Sequence, residues 1–366
     1  MGFLRFFLAS LVVFGHVGGQ QFVDTIGALC AVQVFFLISG FYMAATFTKN
    51  YAYDGGGYRF FLSRYLRLYP FYAFSLAITA ITYFACSSRG VPINATLCFK
   101  FFADRPNALQ VFAVGGLFIQ DVLSISALDH VMLPIRQGWS IGAELVFYAM
   151  VPMLSRVRSK SFLAFLAVAF LALKYGILYQ YGFRYSYFPF YANFGYFILG
   201  YFLYGVRGHL EIDGRFATAL LIALCIGSLI VGGSEFEISP IRNLIVICTF
   251  AAAIPTIFAT VHSRVDSFFG DMSYGIYLFH FFLVDLAISN GLPVVLAPFL
   301  GGQRNGVVAV FLLVVVISCA SSLGFDLLIQ SRLDRWRRKT FYRRVHEQSA
   351  DALQAGQTVS APAAIS

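Results

Sequence analysis

The sequence predicts an all-α, polytopic integral membrane protein with about ten transmembrane helices, and three observations support that fold class. Of the 366 residues, 59% are hydrophobic and only 12% are charged, whereas an average soluble domain carries about 25% charged residues. The mean hydropathy is +0.75. The apolar residues also form runs close to or above the roughly 17 residues that a helix needs to cross a bilayer. Lipid is therefore the expected environment of most side chains.

Ten apolar segments are candidates for spans. In chain order they cover residues 3–19, 25–48, 66–86, 140–155, 161–176, 189–206, 216–232, 243–261, 270–290 and 305–328. A further apolar stretch, 108–123, contains Gly115 and Gly116 and is bracketed by Asp104 and Asp121. This stretch is either an eleventh span or a short re-entrant or interfacial helix.

The distribution of positive charge favours the ten-span alternative, because Lys and Arg concentrate in cytoplasmic loops. With a cytoplasmic start, the inner side receives Lys49, Arg59, Arg64, Arg67, Arg156, Arg158, Lys160, Arg207, Arg215, Arg264 and the run from Arg332 to Arg344. An eleventh span would flip every later loop and export the basic C-terminal run. We therefore expect both termini in the cytoplasm, in a bacterial inner membrane. The formal charge of +9 is an orientation signal on this interpretation, and nucleic-acid binding is not expected.

The chain divides into two predicted parts. Residues 1–331 form one transmembrane domain, and 332–366 form a basic cytoplasmic tail, disordered towards its end, where Ala, Ser, Gln and Gly dominate. The six cysteines show no metal-ligand spacing. Cys86 and Cys98 flank a predicted external loop, where either a disulfide or two unpaired thiols is compatible with the spacing.

Titratable residues inside spans are functional candidates, because each costs a few kcal/mol to insert. His16, His280, Glu144 and Asp285 are such residues. His16 follows Arg5 by eleven residues, about 16 Å of helix, and Glu144 precedes the next inner-side charge by twelve, about 18 Å. We therefore expect His16 and Glu144 at similar depth, with the carboxylate orienting a general base. A simple interhelical hydrogen bond is the alternative.

A second cluster, Arg59, Arg64 and Arg67, lies at the inner end of the third span and is followed by Tyr69 and Pro70. Guanidinium groups bind phosphate bidentately, which lysine does less well. These arginines are thus candidate phosphate ligands, and topology signalling alone is the alternative.

Five motifs occur in order along the chain. They are Arg5-x10-His16, the run FFLISGF from Phe35 to Phe41, Arg64-x-x-Arg67 with Tyr69-Pro70, the run WSIGAELVFY from Trp139, and SYGIYLFH ending at His280. With these motifs the sequence resembles the membrane-bound acyltransferase 3 family. The acidic residue that often precedes the first Arg is missing, and Ile141 replaces the commoner Leu.

The resemblance implies a ten-helix O-acyltransferase that moves an acyl group, acetyl by default, from cytoplasmic acyl-CoA to a hydroxyl of an envelope polysaccharide or lipid-linked sugar. It implies His16 as catalytic base, Arg5 as its motif partner and Glu144 as an essential acid. Arg64 and Arg67 would contact the phosphates of CoA. The expected partners are membrane lipid, an acyl-CoA co-substrate and a carbohydrate acceptor, without a metal.

Several polar groups are candidates to stabilise the oxyanion or contact substrate. Ser140, Tyr148 and the backbone near Ser39 and Gly40 are oxyanion candidates, and His280 is a further substrate contact. Gly40 has close helix packing as its alternative role. Ser39 has no adjacent residue to activate it as an acyl carrier, so direct transfer is the expected route.

Two other functions remain open on sequence alone. A proton-coupled transporter or flippase also uses intramembrane His and Glu, although the related halves of an inverted-repeat carrier are not evident. A catalytically silent partner in an export complex would tolerate changes at His16.

Overall fold

The computed structural model describes residues 1–18, 27–89, 97–104, 107, 110, 134–210, 213–216, 219, 240–260 and 263–341. Within these ranges the regular secondary structure is helical and no strand occurs, which confirms the all-α class.

The first half of the chain forms α1 (Gly2–His16), α2 (Ala28–Asn50), α3 (Gly56–Ser88), α4 (Lys100–Ala103), α5 (Gly138–Leu154), α6 (Lys160–Tyr181) and α7 (Phe183–Tyr187). The second half forms α8 (Phe190–Val206), α9 (Pro240–Thr260), α10 (Arg264–Ser289), α11 (Leu292–Leu300), α12 (Gln303–Phe325) and α13 (Ser331–Phe341). Short 3-10 turns cover Leu97–Phe99 and Arg207–His209, and a π-helical turn, Asp326–Gln330, joins α12 to α13.

Six of the described helices are long and apolar enough to cross a membrane: α2, α3, α6, α9, α10 and the continuous α12–α13 rod. Helices α1 and α5 are apolar but shorter. The protein is therefore an integral membrane protein by length and composition of its helices. Nine of the ten predicted segments overlap described helices, whereas 216–232 and the uncertain stretch 108–123 lie outside the described residues except at positions 110, 216 and 219. The count of ten spans stays a prediction.

Helix α2 lies at the centre of the bundle, and its packing on α8 depends on two glycines. A Cβ placed on Gly40 would lie 2.0 Å from the carbonyl oxygen of Phe197. A Cβ on Gly200 would lie 2.0 Å from the carbonyl oxygen of Leu37. The two backbones therefore touch, as small residues allow between helices in lipid.

Helices α1 and α10 lie side by side and run in the same direction. At their first ends the Met1 ammonium lies 2.6 Å from the Asp266 carboxylate. At the last residue of α1, His16 meets His280 in the second half of α10, with 3.4 Å between ring nitrogens. The parallel arrangement agrees with a topology in which both helices start on the same side of the membrane.

Helix α5 runs in the opposite direction to α10. The Gln137 side chain, just before α5, donates to the carbonyl oxygens of Tyr277 and Leu278 at 2.9 and 2.8 Å. Eleven residues later the Tyr148 ring packs edge-on against Phe60, near the start of α3, with ring centroids 6.2 Å apart. Along the bundle axis, Glu144 therefore lies nearer than Tyr277 to the first residues of α3.

The segment after α12 differs from the predicted tail over its first ten residues. Residues 332–341 belong to α13, and Arg337 within it is only 2% exposed. Residues 342–366 lie outside the described residues. Cys86 and Cys98 both carry free thiols, so the disulfide alternative does not hold for this pair.

Candidate functional site

A cavity of about 500 Å³ opens among α1, α2, α3, α5, α10 and the α12–α13 rod, a size typical of small-molecule sites. Its polar lining includes most of the predicted site residues: Arg5, Ser39, Arg64, Arg67, Ser140, Glu144 and Tyr148. Residues far apart in sequence therefore share one chamber inside the bundle.

Four arginines line one end of the cavity, and we call Arg5, Arg64, Arg67 and Arg338 the basic mouth. Four aspartates also line the cavity: Asp266, Asp271, Asp326 and Asp334. Arg64 is 4% exposed, and its guanidinium lies 5.7 Å from the centre of the Phe60 ring. Arg67 is half exposed and lies 4.0 Å from Asp271. Guanidinium groups from three helices thus converge where an anionic ligand could enter.

Arg59 does not lie at the basic mouth, although the sequence predicted one cluster of Arg59, Arg64 and Arg67. It is exposed and does not line the cavity. Arg59 precedes Arg64 by five residues, which places it about 140° away around the helix. Arg67 follows Arg64 by three residues and lies about 60° away. The predicted donor-binding role therefore has no support for Arg59.

Glu144 lies in the middle of the cavity and is held by two hydroxyl groups. The Ser39 hydroxyl of α2 and the Tyr148 hydroxyl one turn along α5 both donate to the same Glu144 oxygen. Ser39 and Tyr148 are therefore engaged by Glu144 in this state and are not free oxyanion donors.

Gly40 does not line the cavity and faces α8 instead. Its close approach to the Phe197 carbonyl supports the alternative role given for Gly40, which is close packing between helices. The prediction that Gly40 binds donor or oxyanion therefore has no support.

The far end of the cavity is formed by Tyr277, Phe35 and Ser140. The rings of Tyr277 and Phe35 lie 5.8 Å apart. The Ser140 hydroxyl donates to the Gln137 carbonyl at 2.8 Å and lies 2.7 Å from the Tyr277 hydroxyl. Since the single hydrogen of Ser140 is used by that carbonyl, Tyr277 is the donor of the pair.

His280 lies one helical turn beyond Tyr277 on α10, and with His16 it forms what we call the histidine pair. His280 is fully buried, whereas His16 is exposed at the end of α1. Neither histidine is among the residues that line the cavity. His16 Nδ1 lies 2.8 Å from the Val12 carbonyl oxygen and 3.4 Å from His280 Nε2. His280 Nδ1 lies 3.0 Å from the Ile276 carbonyl oxygen.

These contacts determine where the protons lie on the two neutral rings. A carbonyl oxygen only accepts, so Nδ1 of each histidine carries the hydrogen. His280 Nε2 then has a lone pair directed at the N–H of His16. His16 Nε2 also keeps its lone pair, which is the requirement for a general base.

The family model Acyl_transf_3, described as an acyltransferase domain, matches residues 1–325. The chain belongs to this acyltransferase family. Its enzyme class is therefore acyltransferase, and the resemblance based on five motifs is confirmed.

Two curated proteins are similar to this acyltransferase. "Nodulation protein 10" of Rhizobium leguminosarum bv. viciae is 27% identical over 312 residues, which cover 79% of this chain and 83% of that protein. "Protein 2 in picA locus" of Rhizobium radiobacter is 29% identical over 139 residues, 37% of this chain and 71% of that protein. No solved structure shows significant similarity to the chain.

The expected equal depth of His16 and Glu144 had suggested that the two side chains meet. In the acyltransferase they do not. Among the described residues, Glu144 bonds to Ser39 and Tyr148, while His16 bonds to Val12 and His280. Helical rise gives a distance along one axis, but not the offset between two helices or the direction of a side chain. The groups that contact His16 Nδ1 are instead the Val12 carbonyl and a second imidazole, that of His280.

Two residues outside the predicted set belong to the surroundings of the site. The Arg136 guanidinium lies 5.4 Å from the centre of the Phe281 ring, and His16 packs edge-on against the same ring at 5.3 Å. Tyr277, within the SYGIYLFH motif, forms part of the cavity end. Its spacing of three residues from His280 is the sequence signal that places both on one face of α10.

Asp285, the other buried carboxylate of the acyltransferase, has a structural partner. It is 8% exposed and accepts a hydrogen bond of 2.7 Å from the Cys98 backbone N–H. It therefore fixes the Leu97–Phe99 turn against α10. In the described part of the chain no group of His, Cys, Asp and Glu side chains has the geometry of a metal site.

Proposed function

We propose that this acyltransferase moves an acyl group, acetyl in the simplest case, from cytoplasmic acyl-CoA to a hydroxyl of a cell-envelope carbohydrate or lipid-linked sugar. In this proposal it works in a bacterial inner membrane with both termini in the cytoplasm. The observation that carries the proposal is one cavity through the bundle, which extends from the basic mouth past Glu144 to Tyr277, one turn of α10 before His280.

The basic mouth suits the anionic part of acyl-CoA. The paired N–H donors of a guanidinium match the geometry of phosphate oxygens. A partly buried charge also binds an anion more strongly than an exposed charge does. The rest of the cavity is narrow and mixed in polarity, with Val32, Met43 and Leu68 beside the polar groups. A thioester arm can therefore extend from the mouth towards Tyr277.

The proposed chemistry uses the histidine pair as the base. His16 Nε2 takes the proton of the acceptor hydroxyl while that oxygen attacks the thioester carbonyl. The carbon–sulfur bond breaks, the CoA thiolate leaves, and the imidazolium of His16 returns its proton to the leaving sulfur. Val12 and His280 accept from the His16 Nδ1–H throughout, which orients the ring and stabilises its positive charge.

The Tyr277 hydroxyl is the best-placed candidate to stabilise the oxyanion. It lies at the cavity end, one turn from His280, and it donates its hydrogen to the neutral Ser140 hydroxyl at 2.7 Å. Rotation of that hydrogen towards a developing oxyanion requires no movement of the backbone. Ser140 would remain the group that positions the Tyr277 ring.

A proton-coupled carrier of glycolipid or metabolite is the competing function. Membership in the acyltransferase family favours the enzyme, because a carrier needs no thioester. Formation of a covalent product, the acylated glycan, distinguishes the enzyme from the carrier.

The test uses purified protein in liposomes, with isotope-labelled acetyl-CoA and envelope glycans from cells that lack the protein. Mass spectrometry should find the label in an ester on the glycan, in equimolar amount with released CoA. CoA release without esterified glycan, or glycan movement without CoA release, would contradict the proposal. Glycans from cells with and without the protein should differ by the same ester.

A further inference from the structure

Helix α13 lies beyond the residues that the family model matches and contributes to the same cavity. Cavity-lining residues recur every four positions along the α12–α13 rod: Ser322, Asp326, Gln330, Asp334 and Arg338. In an α-helix, residues four apart drift about 40° at each step. The wider π-helical turn at Asp326–Gln330 offsets part of that drift. The rod therefore keeps one face on the cavity as far as Arg338.

Arg337 anchors α13 beside the basic mouth. It is 2% exposed, and its guanidinium donates to the Ser63 hydroxyl at 2.8 Å. The same guanidinium donates to Asp334 at 3.2 and 3.1 Å. Ser63 directly precedes Arg64 on α3. Because a buried guanidinium bound on two sides is costly to displace, α13 is held in register with the arginines of α3.

Arg338 is the next residue on this anchored helix and has different surroundings. It is exposed, lines the cavity and forms no hydrogen bond or ion pair with any described residue. A guanidinium held at a cavity opening with no partner among the described residues has its donors available for a ligand.

The negative charges near the mouth are largely matched within the protein. Three of the four aspartates that line the cavity have a cationic partner: Asp266 with the Met1 ammonium at 2.6 Å, Asp271 with Arg67 at 4.0 Å, and Asp334 with Arg337 at 3.1 Å. Asp326 is the exception in the described part of the chain. Asp334, four residues before Arg338 on the same helix, is therefore already engaged by Arg337.

We propose that Arg338 is a phosphate-binding residue of the acyltransferase, positioned by the Arg337 anchor to contact a phosphate of the acyl-CoA donor. This inference rests on the proposed function. It assigns to α13, outside the family domain, the outer wall of the donor site.

The test compares Arg338→Gln with Arg335→Gln, a change of the same kind on the same helix at an exposed residue that does not line the cavity. KM is measured for acetyl-CoA and for acetyl-pantetheine, which has the thioester arm but no phosphate, with proteins in nanodiscs of neutral lipid. Thermal unfolding confirms equal folding, which is expected because both side chains are exposed.

Arg338→Gln should raise KM for acetyl-CoA about tenfold, the scale of one lost charge-assisted hydrogen bond, and leave KM for acetyl-pantetheine unchanged. Arg335→Gln should leave both unchanged. An unchanged KM for acetyl-CoA in Arg338→Gln, or an equal rise with both donors, would overturn the inference and assign Arg338 to lipid headgroups or to packing. Failure of the unaltered protein to use acetyl-CoA would instead reject the proposed function.

Discussion

Replacement of His280 by Phe tests the imidazole that orients the base. The change keeps a buried aromatic ring of similar size but removes the Nε2 lone pair that faces His16 Nδ1–H at 3.4 Å. A hydrogen bond to a charged group contributes about 1.5–3 kcal/mol. Since 3.4 Å exceeds the roughly 2.7–2.9 Å of a strong charge-assisted bond, we take the lower limit. A loss of about 1.5 kcal/mol corresponds to about a tenfold fall in kcat.

The assay is steady-state transfer from acetyl-CoA to glycan by protein in liposomes. KM for acetyl-CoA should stay within about twofold, because His280 lines neither the cavity nor its basic mouth. His209→Phe, the same substitution at an exposed turn residue, is the control. An unchanged kcat in His280→Phe, or a rise in KM with constant kcat, would refute the role of His280 as acceptor for His16.

Three further predictions follow from contacts in the bundle. Gly40→Ala should lower the free energy of unfolding by about 1–3 kcal/mol, because α2 and α8 must separate, whereas Gly176→Ala, with no atom within 4 Å of the new Cβ, should not. Tyr277→Phe should reduce kcat about 10²–10³-fold if its hydroxyl stabilises the oxyanion; stopped-flow transfer measures this. Glu144→Gln should weaken two hydrogen bonds by about 1 kcal/mol each, seen as a lower melting temperature, and should impair transfer less than loss of His16 does.

Much of the fold follows from the chemistry of single segments. A bilayer accepts only apolar stretches whose backbone is internally hydrogen-bonded, so run length and charge located nine helices that the structure describes. The spacing Arg64-x-x-Arg67 likewise placed two side chains on one face of α3. Helical angle alone would also have excluded Arg59 from that face.

The pairing between helices could not be read in the same way. His16 and Glu144 were expected to meet because each lies about a dozen residues from an inner-side charge, yet α1 and α5 are offset and present different faces. His280 partners His16 only because α1 and α10 run side by side from a shared end. That contact depends on tertiary packing, for which one sequence contains no direct signal.

The basic C-terminal run shows the same limit. Clustered arginines after the last span are typical of a solvated tail, but Arg337 is buried because Ser63 accepts its hydrogen bond. A contact with a residue 274 positions away therefore determines whether this segment is a solvated tail or part of the cavity wall.

Single-turnover transfer by His16→Ala is the most direct test of the account. Acetyl-CoA binding and transfer are measured on the same preparation in nanodiscs. We expect the dissociation constant of acetyl-CoA to be unchanged, because the basic mouth is intact, and the transfer rate to fall about 10²–10⁴-fold with the base removed. Transfer at the rate of the unaltered protein would contradict the assignment of His16 and, with it, the proposed chemistry of the histidine pair.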